Sequence, residues 1–432
     1  LVGPPILGKR GNMGHKSHSW KDKDKPPVIR PHSVEKHRLL QTYLFRYVLT
    51  LTRIKAMERL PLTLIDGFAG GNVYRQGADR KFRSGSPSLM LDTIRDAEET
   101  VNAERTKKLQ IIDDYFFIEQ EAHACDSLRR TLADSPRARA VRDRIRVFQG
   151  DFSSHAARII QFVKDKSPSG RAIFNLDQCG YDAVPFEQIR AIFSALPKAE
   201  VILTFAADFL IDYLREGRPN RRLKCMPDLD VDALASTVDR SDPRWRRLIQ
   251  LELHQEVLKA SGATFYTPFF IRSTDSHRDL WILHLSGHHR ARDVMTGVHW
   301  ERHNSVAHYG GAGLKMLGYD PEQDVVVTGQ KPLPGFFFDD KAQAMTEGAL
   351  LDELPRRIYE FSDAVEFQRL FALITNETPA TSQMLRKSIR ILAREGLLRV
   401  RDASGLTERR AGIQAESDIV TIPAQKLLFY TI

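Results

Sequence analysis

Residues 62–71 read Leu-Thr-Leu-Ile-Asp-Gly-Phe-Ala-Gly-Gly, and this stretch decides the fold. An apolar run typical of a buried strand ends at Asp66 and turns at once into a loop of small residues. Glycine carries no Cβ atom, so the backbone of such a loop can approach a nucleotide-like ligand closely. Neither the G-x-G-x-x-G fingerprint nor a G-K-[ST] phosphate loop occurs at this point.

An acidic, glycine-rich turn without a phosphate cradle fits a charged cofactor that contains no pyrophosphate. S-adenosylmethionine is the obvious candidate, although a plain strand-to-loop connection in any α/β protein would look the same. We predict that the cofactor contacts Asp66, Gly67, Phe68, Ala69 and Gly70.

Strand-like and helix-like segments alternate from this strand to about residue 208. We predict strands at 62–68, 115–120, 145–151, 171–181 and 199–208, with a helix after each of the first four. This alternation predicts a parallel sheet with right-handed crossovers. Residues 263–273 and 280–287 flank a short turn and predict an antiparallel hairpin at the sheet edge. Together they give the α/β layout of a Rossmann-like class I methyltransferase sheet.

Four successive strand ends carry an acid, namely Asp66, Glu119, Asp151 and Asp177. Ligands of open parallel sheets bind beyond the carboxyl ends of the strands. We predict that Glu119 accepts the two ribose hydroxyls of the cofactor. Asp151 is placed to accept from the adenine amino group, with Phe152 packing on the ring, and Asp66 lies nearest the methionine part.

The gap between Asp66 and Glu119 is 53 residues, longer than the roughly 20 of a compact βαβ unit. Two explanations fit this excess. An insertion forms a flap on the substrate side, or the second strand is misplaced.

Composition and charge limit the class of protein. A chain of 432 residues suggests two or three domains, and its net charge is +9. Residues 1–38 hold nine Lys/Arg against three acids, so they supply +6 of that charge. A basic run that contains Arg221 and Arg222 suits phosphate contacts, or simply a solvated surface.

Targeting and metal signals are weak. The chain has no apolar stretch near the roughly 18–20 residues of a membrane span, no signal peptide and no C-x-x-C pair, which predicts a reduced, cytoplasmic location. His299 and His303 are spaced i, i+4 without a Glu-containing motif, so we predict no metal site.

A separate unit begins at about residue 356. An amphipathic helix, a short turn, a basic helix capped by Thr381 or Ser382, and two late strands predict a winged helix-turn-helix. The second helix of such a unit enters the major groove, which directs Arg386, Lys387, Arg390 and Arg394 towards nucleic acid. A winged helix that only docks proteins would show the same pattern.

We therefore divide the chain into four parts: a flexible basic arm at 1–32, a class I methyltransferase-like domain at 33–300, a helical connector at 301–355 and a winged helix-turn-helix domain at 356–432.

Several short motifs, in this order, resemble the three-Cys-motif partner protein family. They are DGFAGG, Gly85-Ser86-Pro87, FIE, GD, LDQCG and WILHLSGH, and the resemblance runs from about residue 33 to 430. It implies a class I S-adenosylmethionine-dependent methyltransferase fold with an associated winged helix. It also implies a three-Cys-motif partner, a protein similar to radical S-adenosylmethionine enzymes and their phage-encoded relatives. The family resemblance does not supply a substrate.

The chain departs from the family after the fourth strand, where the usual pattern is Asp-Pro-Phe-Gly. Here the residues are Asp177-Gln178-Cys179-Gly180-Tyr181. In amino-methyltransferases the acid binds the target amine and an aromatic ring stacks on the flipped base. We predict that Asp177 keeps the first role and that Tyr181 supplies the stacking. Cys179 is either a small packing residue or a nucleophile for methylation of a pyrimidine carbon.

Two functions fit these features. The first is a methyltransferase that acts on nucleic acid together with its three-Cys-motif partner. The second is a non-catalytic adaptor that binds nucleic acid, retains the methyltransferase fold, and recruits or regulates that partner.

Overall fold

The structure is a computed structural model of the chain. It describes residues 20–22, 25–76, 81–178, 180–206, 225–230, 245–272, 279–302, 312–314, 338–361 and 364–423, and positions 233, 236 and 239. Cys179, Arg221, Arg222 and His303 lie outside these residues, as do the first 19 positions of the predicted arm.

Helices and strands alternate along the first three quarters of the chain. The helices there are α1 Pro31–Leu51, α2 Ser86–Ala103, α3 Ala122–Asp134, α4 Pro136–Ala140, α5 Phe152–Lys166, α6 Phe186–Ala195, α7 Trp245–Ser261 and α8 His289–Arg302. The strands are β1 Arg59–Asp66, β2 Val73–Arg75, β3 Phe82–Ser84, β4 Gln110–Glu119, β5 Ile145–Gln149, β6 Ala172–Leu176, β7 Ala199–Phe205, β8 Phe265–Arg272 and β9 Asp279–Ser286.

Seven of these strands form one sheet in the order β5-β4-β1-β6-β7-β9-β8. The first five pair in parallel, whereas β9 is antiparallel to both β7 and β8. This is the predicted parallel sheet with an antiparallel hairpin at its end, so the fold prediction is confirmed. Because crossovers are right-handed and leave β1 in both directions, helices cover both faces of the sheet.

The long stretch between Asp66 and Glu119 is an insertion and not a misplaced strand. β4 ends at Glu119, one residue before the predicted end, and the extra residues form the β2–β3 hairpin ahead of the 18-residue crossover helix α2. Asn72 joins these parts in a left-handed conformation, with φ of 64°. Its side chain exchanges hydrogen bonds with Ser88, and its carbonyl accepts from the Gly85 N–H at 2.9 Å.

The described end of the basic arm packs on this hairpin. Ile29 N donates to Arg75 O at 2.8 Å and Arg75 N donates to Pro27 O at 2.9 Å, which adds a short parallel bridge to β2. Trp20 is 7% exposed and donates from Nε1 to Val73 O at 3.0 Å. The chain between Trp20 and α1 is therefore held at several points.

Helix α1 covers the sheet with the six apolar residues whose spacing predicted it. Leu39, Leu40, Tyr43, Leu44, Tyr47 and Val48 are all buried. The Tyr43 hydroxyl donates to Glu200 on β7, and Glu200 also meets Nε2 of His284 on β9 at 2.9 Å. This contact fixes α1 against β7 and β9, the fifth and sixth strands of the sheet.

The C-terminal unit has a second hydrophobic core. It contains α9 Asp340–Tyr359, β10 Ala364–Glu366, α10 Phe367–Ile374, α11 Ser382–Arg394, β11 Arg399–Arg401 and β12 Ile419–Thr421. The strands form an antiparallel sheet in the order β10-β12-β11. Thr381 caps α11 by accepting from Met384 N at 3.3 Å, which was one of the two predicted caps. α10, the basic helix α11 and the small sheet make up the predicted winged helix-turn-helix, and α9, most of which lies in the predicted connector, contributes to the same core.

Within the described parts of the chain, no helix combines the length and the apolar composition needed to cross a membrane.

An ion cluster stabilises the end of the sheet opposite the glycine loop. Asp113 on β4 is fully buried and accepts two hydrogen bonds from Arg95, each 2.8 Å long. Arg144 donates to it at 3.1 Å and the Tyr115 hydroxyl at 2.7 Å. Breaking a buried ion pair by removing one partner leaves the other charge uncompensated.

We expect Asp113→Asn to lower the free energy of unfolding by about 3 kcal/mol, because it removes the buried charge that both arginines share. Urea denaturation followed by circular dichroism measures this loss. Asp143→Asn is the matched control, since the Arg142–Asp143 pair is almost fully exposed. Equal denaturation midpoints for Asp113→Asn and the control would contradict the role of the cluster.

Candidate active site

The glycine loop crosses the carboxyl edge of the sheet between two strands. Gly67 N donates to Asn175 O on β6, and Ala69 N donates to Ile118 O on β4, both at 2.9 Å. A Cβ atom on Gly67 would lie 2.7 Å from a Leu176 methyl and 3.1 Å from the Phe152 ring. Only glycine fits there without displacing these side chains.

Asp66 ends β1 beneath this loop and is fully buried. Its Oδ1 accepts from the Phe68 N–H at 3.2 Å, whereas Oδ2 has no hydrogen-bond partner among the described residues. Burial raises the pKa of Asp66 to about 7, although the nearby Ser86 hydroxyl and the Phe68 N–H partly oppose this. The site thus holds a buried carboxyl oxygen that a ligand could satisfy.

Glu119 lies at the end of the neighbouring strand and is tied to the same loop. Its Oε2 accepts from Gly70 N at 2.8 Å, and its Oε1 accepts from Glu121 N at 2.7 Å. Burial raises the pKa of Glu119, and these N–H donors partly offset that rise. Each oxygen keeps a lone pair beyond the one it uses for the backbone.

The third predicted acid lies one strand further out. Asp151 is exposed and caps α5, accepting from Ser154 N at 2.9 Å. Phe152, the next residue, is 1% exposed and packs edge-on to Phe174, with ring centroids 6.3 Å apart. Strand order therefore brings Asp151, Glu119 and Asp66 to one edge, with Phe152 underneath the glycine loop.

Asp177 follows β6 on the other side of β1 and is paired with α1. Lys36 Nζ donates to both of its oxygens, at 2.5 and 2.7 Å, and the Thr204 hydroxyl donates to Oδ1 at 2.6 Å. Burial alone would raise the pKa of Asp177, but the Lys36 ammonium outweighs it and lowers the pKa. Asp177 is therefore ionised, and its carboxylate is held in one orientation.

A small pocket of about 20 Å³ opens beside this pair. Its lining residues come from α1, α2 and three strands: Lys36, His37, Leu39, Leu40, Ser86, Asn175, Asp177, Ile202, Thr204 and Ile282. Burial lowers the pKa of His37 to about 4; Asp177 opposes this, whereas Lys36 and Arg83 add to it. His37 is consequently a neutral imidazole near neutral pH.

The loop after Asp177 is held by the side chain of the residue that follows it. Gln178 is buried, and its Oε1 accepts from Ala183 N at 2.9 Å and Val184 N at 3.1 Å. Tyr181 is half-buried and packs edge-on to Phe205, with ring centroids 6.4 Å apart. The structure places Tyr181 on the same loop as Asp177; its proposed stacking role stays a prediction.

Two features of this edge were not predicted. Lys36 and His37 lie in the polar first turns of α1, a helix that was predicted from its apolar residues alone. Trp20 lies over the loop, and a Cβ atom on Gly71 would fall 2.4 Å from its indole ring. The signal for Trp20 was present, because it is the only Phe, Tyr or Trp among the first 38 residues.

The four basic residues predicted on α11 divide into two groups. Arg386 is half-buried, with its guanidinium 4.2 Å from the centre of the Phe367 ring. Lys387, Arg390 and Arg394 are exposed, and Lys387 forms an ion pair with Glu347 at 2.6 Å.

Strand order, the glycine loop and the acids at the carboxyl edge define a domain of the class I methyltransferase type, followed by a winged helix-turn-helix. Residues 318–405 match the model of the GMT-like wHTH domain. No curated protein matches the chain at a significant level.

Solved structures similar to this chain include methyltransferases of several kinds. An O-methyltransferase from Bacillus cereus in complex with SAH is 13% identical, with a TM-score of 0.27, over 60% of this chain and 92% of that one. The methyltransferase domain of bacterial CtHen1-C is 15% identical, with a TM-score of 0.25, over 58% and 99%. The bifunctional kinase–methyltransferase WbdD is 12% identical, with a TM-score of 0.28, over 59% of this chain and only 39% of WbdD. The fold assignment rests on the strand order itself.

We expect Lys36→Met to raise the pKa of His37 from about 4 towards 6.5, because it removes a cation that disfavours imidazolium and leaves Asp177 in place. NMR titration of the His37 ring measures this, with the resonance assigned by its loss in His37→Asn. Arg38→Met is the control, since Arg38 is exposed and pairs with Glu35. An unchanged His37 titration in Lys36→Met would show that the two groups are not coupled.

Proposed function

We propose that this protein is an S-adenosylmethionine-dependent methyltransferase that acts on nucleic acid together with a three-Cys-motif partner. One observation carries the proposal. Asp151, Glu119, Asp66 and Asp177 end four neighbouring strands, in that order, around a glycine loop in which a Cβ atom on Gly67 would clash with Leu176.

The residues present fit S-adenosylmethionine. The free lone pairs on the two Glu119 oxygens suit a pair of ribose hydroxyls. Asp66, buried beneath the loop, would act on the cationic methionine part through water or the loop backbone and not by direct pairing. Gly67, Phe68, Ala69 and Gly70 would line the cofactor, with Asp151 and Phe152 on the adenine side. The bound cofactor would supply an activated methyl group.

The side chains beside this edge suit transfer to an N–H group. An ionised carboxylate has about four acceptor sites, and Lys36 and Thr204 use three of those on Asp177. The remaining site, on Oδ2, can accept one N–H of a target amine and fix the direction of its lone pair. His37 lines the same pocket as a neutral imidazole, so one of its ring nitrogens can accept a hydrogen bond from the target, and the proton that the amine releases would pass to solvent.

Nucleic acid is the substrate class that the charges favour. Residues 1–38 carry +6, and α11 exposes Lys387, Arg390 and Arg394. Arg386, Arg221 and Arg222 are further basic residues that would contact the nucleic acid. Tyr181 would stack on the target base, and the three-Cys-motif partner follows from the family resemblance of the motifs in the sequence.

A specific observation favours the second function, a non-catalytic adaptor. Lys36 already pairs with both oxygens of Asp177, and the Asp-Pro-Phe-Gly pattern is absent from the loop that follows. An adaptor would bind nucleic acid and the partner without transferring a methyl group.

Cofactor binding gives the first test. We expect Glu119→Ala to weaken S-adenosylmethionine binding about 10- to 150-fold, because charge-assisted hydrogen bonds are each worth about 1.5–3 kcal/mol. Glu119→Gln keeps one acceptor oxygen and should lose less. Isothermal titration calorimetry measures both, with exposed Asp126→Ala as the control. Wild-type affinity in Glu119→Ala would refute the cofactor site, and absence of binding by the wild type would favour the adaptor.

Methyl transfer gives the second test. Single-turnover assays with labelled S-adenosylmethionine and pooled DNA and RNA oligonucleotides compare Asp177→Ala with the wild type. We expect Asp177→Ala to lose transfer while its cofactor affinity stays unchanged, because the amine is no longer oriented. Transfer by Asp177→Ala at the wild-type rate would refute this placement of the target.

Cys179→Ser distinguishes the two hypotheses for this residue, a nucleophile or a small packing residue, in the same assay. A carbon-directed mechanism requires the thiolate and would be abolished by the substitution, whereas a packing role predicts a mild loss.

A further inference from the structure

The winged helix is fixed to the methyltransferase domain through the start of α11. Asp293 on α8 accepts from Ser382 N at 2.8 Å and from the Ser382 hydroxyl at 2.6 Å. Free N–H groups at a helix N-terminus form a natural anion site, and here an internal carboxylate takes one of them. A DNA phosphate would compete with Asp293 and be repelled by it.

The turn before α11 is buried in the same contact. Arg292 is fully buried and donates to Thr378 O at 2.8 Å, and Trp300 Nε1 donates to Pro379 O at 2.7 Å. The Trp300 side chain packs against both hydrophobic cores. Leaving Arg292 without its carbonyl partner would be costly, which favours one fixed arrangement of the two domains.

The third contact closes the edge of the large sheet. Asn376 accepts from Tyr266 N at 3.0 Å and donates to Thr264 O at 2.9 Å, so its amide pairs with the outer strand β8 as a neighbouring strand would. Phe265 starts β8 opposite Ser286, which in turn pairs with Glu200 near the start of β7. The winged helix thus docks at the amino edge of the sheet.

The carboxyl edge of the sheet, which carries the proposed site and is called the reaction edge below, is at the other end of the same strands. From Ala199 to Phe205 β7 spans seven residues, and each step along a strand rises about 3.3 Å, so the two edges are about 20 Å apart. Duplex DNA rises about 3.4 Å per base pair, and this separation corresponds to about six base pairs.

The face of α11 that stays exposed is cationic. Gln383, Lys387, Arg390 and Arg394 are spaced i, i+4, i+7 and i+11, which places them on one side of a helix, and all four are exposed. Only the first of them lies in the turn that reads bases in a helix-turn-helix. The three cations follow along the length of α11 and are exposed, and Lys387 also forms an ion pair with Glu347.

We propose that the winged helix, which docks at the amino edge of the sheet about 20 Å from the reaction edge, is a fixed anchor that holds the phosphate backbone of an extended nucleic acid through Lys387, Arg390 and Arg394. The first turn of α11, occupied by Asp293, does not read base sequence. This proposal rests on the proposed action on nucleic acid and adds that the substrate is long and is held without sequence recognition at this end.

Fluorescence anisotropy with full-length protein and three 30-base-pair duplexes of unrelated sequence tests the anchor. We expect the three affinities to agree within about threefold and to fall steeply with salt. The double variant Arg390→Ala/Arg394→Ala should reduce the log–log salt slope by about 1.8, since each duplex phosphate contact contributes about 0.9. Gln383→Ala, on the same face but in the first turn, is the matched control and should leave affinity and slope unchanged.

Two outcomes would overturn the anchor. One is an unchanged salt slope in the double variant, which would make this face of α11 a protein-docking surface or a bare solvated one. The other is a strong preference for one duplex that Gln383→Ala abolishes, which would show base reading by the first turn. Calorimetry with S-adenosylmethionine on the same variants keeps this test separate, because neither substitution lies near the glycine loop and cofactor affinity should not change.

Discussion

The burial of Asp66 under the glycine loop is the constraint on which the reaction edge depends. A carboxyl group is costly to bury, and here one oxygen has a single backbone donor while the other has no partner among the described residues. The loop can cover it only because Gly67 approaches Leu176 and Phe152 more closely than any side chain would permit. The two backbone bonds from the loop to β6 and β4 then fix where Glu119 and Asn175 meet it.

Helix α1 carries this constraint across the sheet to the second half of the edge. Its buried face packs on the sheet through Tyr43 and Glu200. This contact fixes where the first turns of α1, which carry Lys36 and His37, lie on the sheet. The ion pair with Asp177 keeps that carboxylate ionised in spite of its burial. Burial itself keeps the neighbouring His37 imidazole neutral, because the opposing effects of Asp177 and Lys36 on its pKa are both smaller.

The sequence predicted those parts of the molecule that depend on local pattern. The periodicity of apolar residues and the lengths of the segments predicted the alternating strands and helices and the six buried residues of α1. The Thr381 cap was also predicted, because each of these features depends on residues a few positions apart. The meeting of the four acids at one edge was predictable because the carboxyl ends of parallel strands lie at the same edge of a sheet. Contacts between distant segments were not predictable in this way: Lys36 meets Asp177 across 141 positions, and Asp293 meets Ser382 across 89. No spacing rule links such residues, since the tertiary packing of α1 and α8 brings them together.

The charge distribution follows from the same two docking contacts. Trp20 fixes the end of the basic arm beside Gly71, at the carboxyl edge, whereas Asp293 and Asn376 fix the winged helix at the amino edge. The described positions 20–22 and 25–38 hold five Lys/Arg against two acids, a net charge of +3 beside the reaction edge, and the exposed cations of α11 belong to the unit that docks at the far end. A polyanion attracted to both would lie along the strands and not across them. That orientation suits an extended nucleic acid better than a compact anionic ligand, because only a long molecule can meet both sets of charges at once.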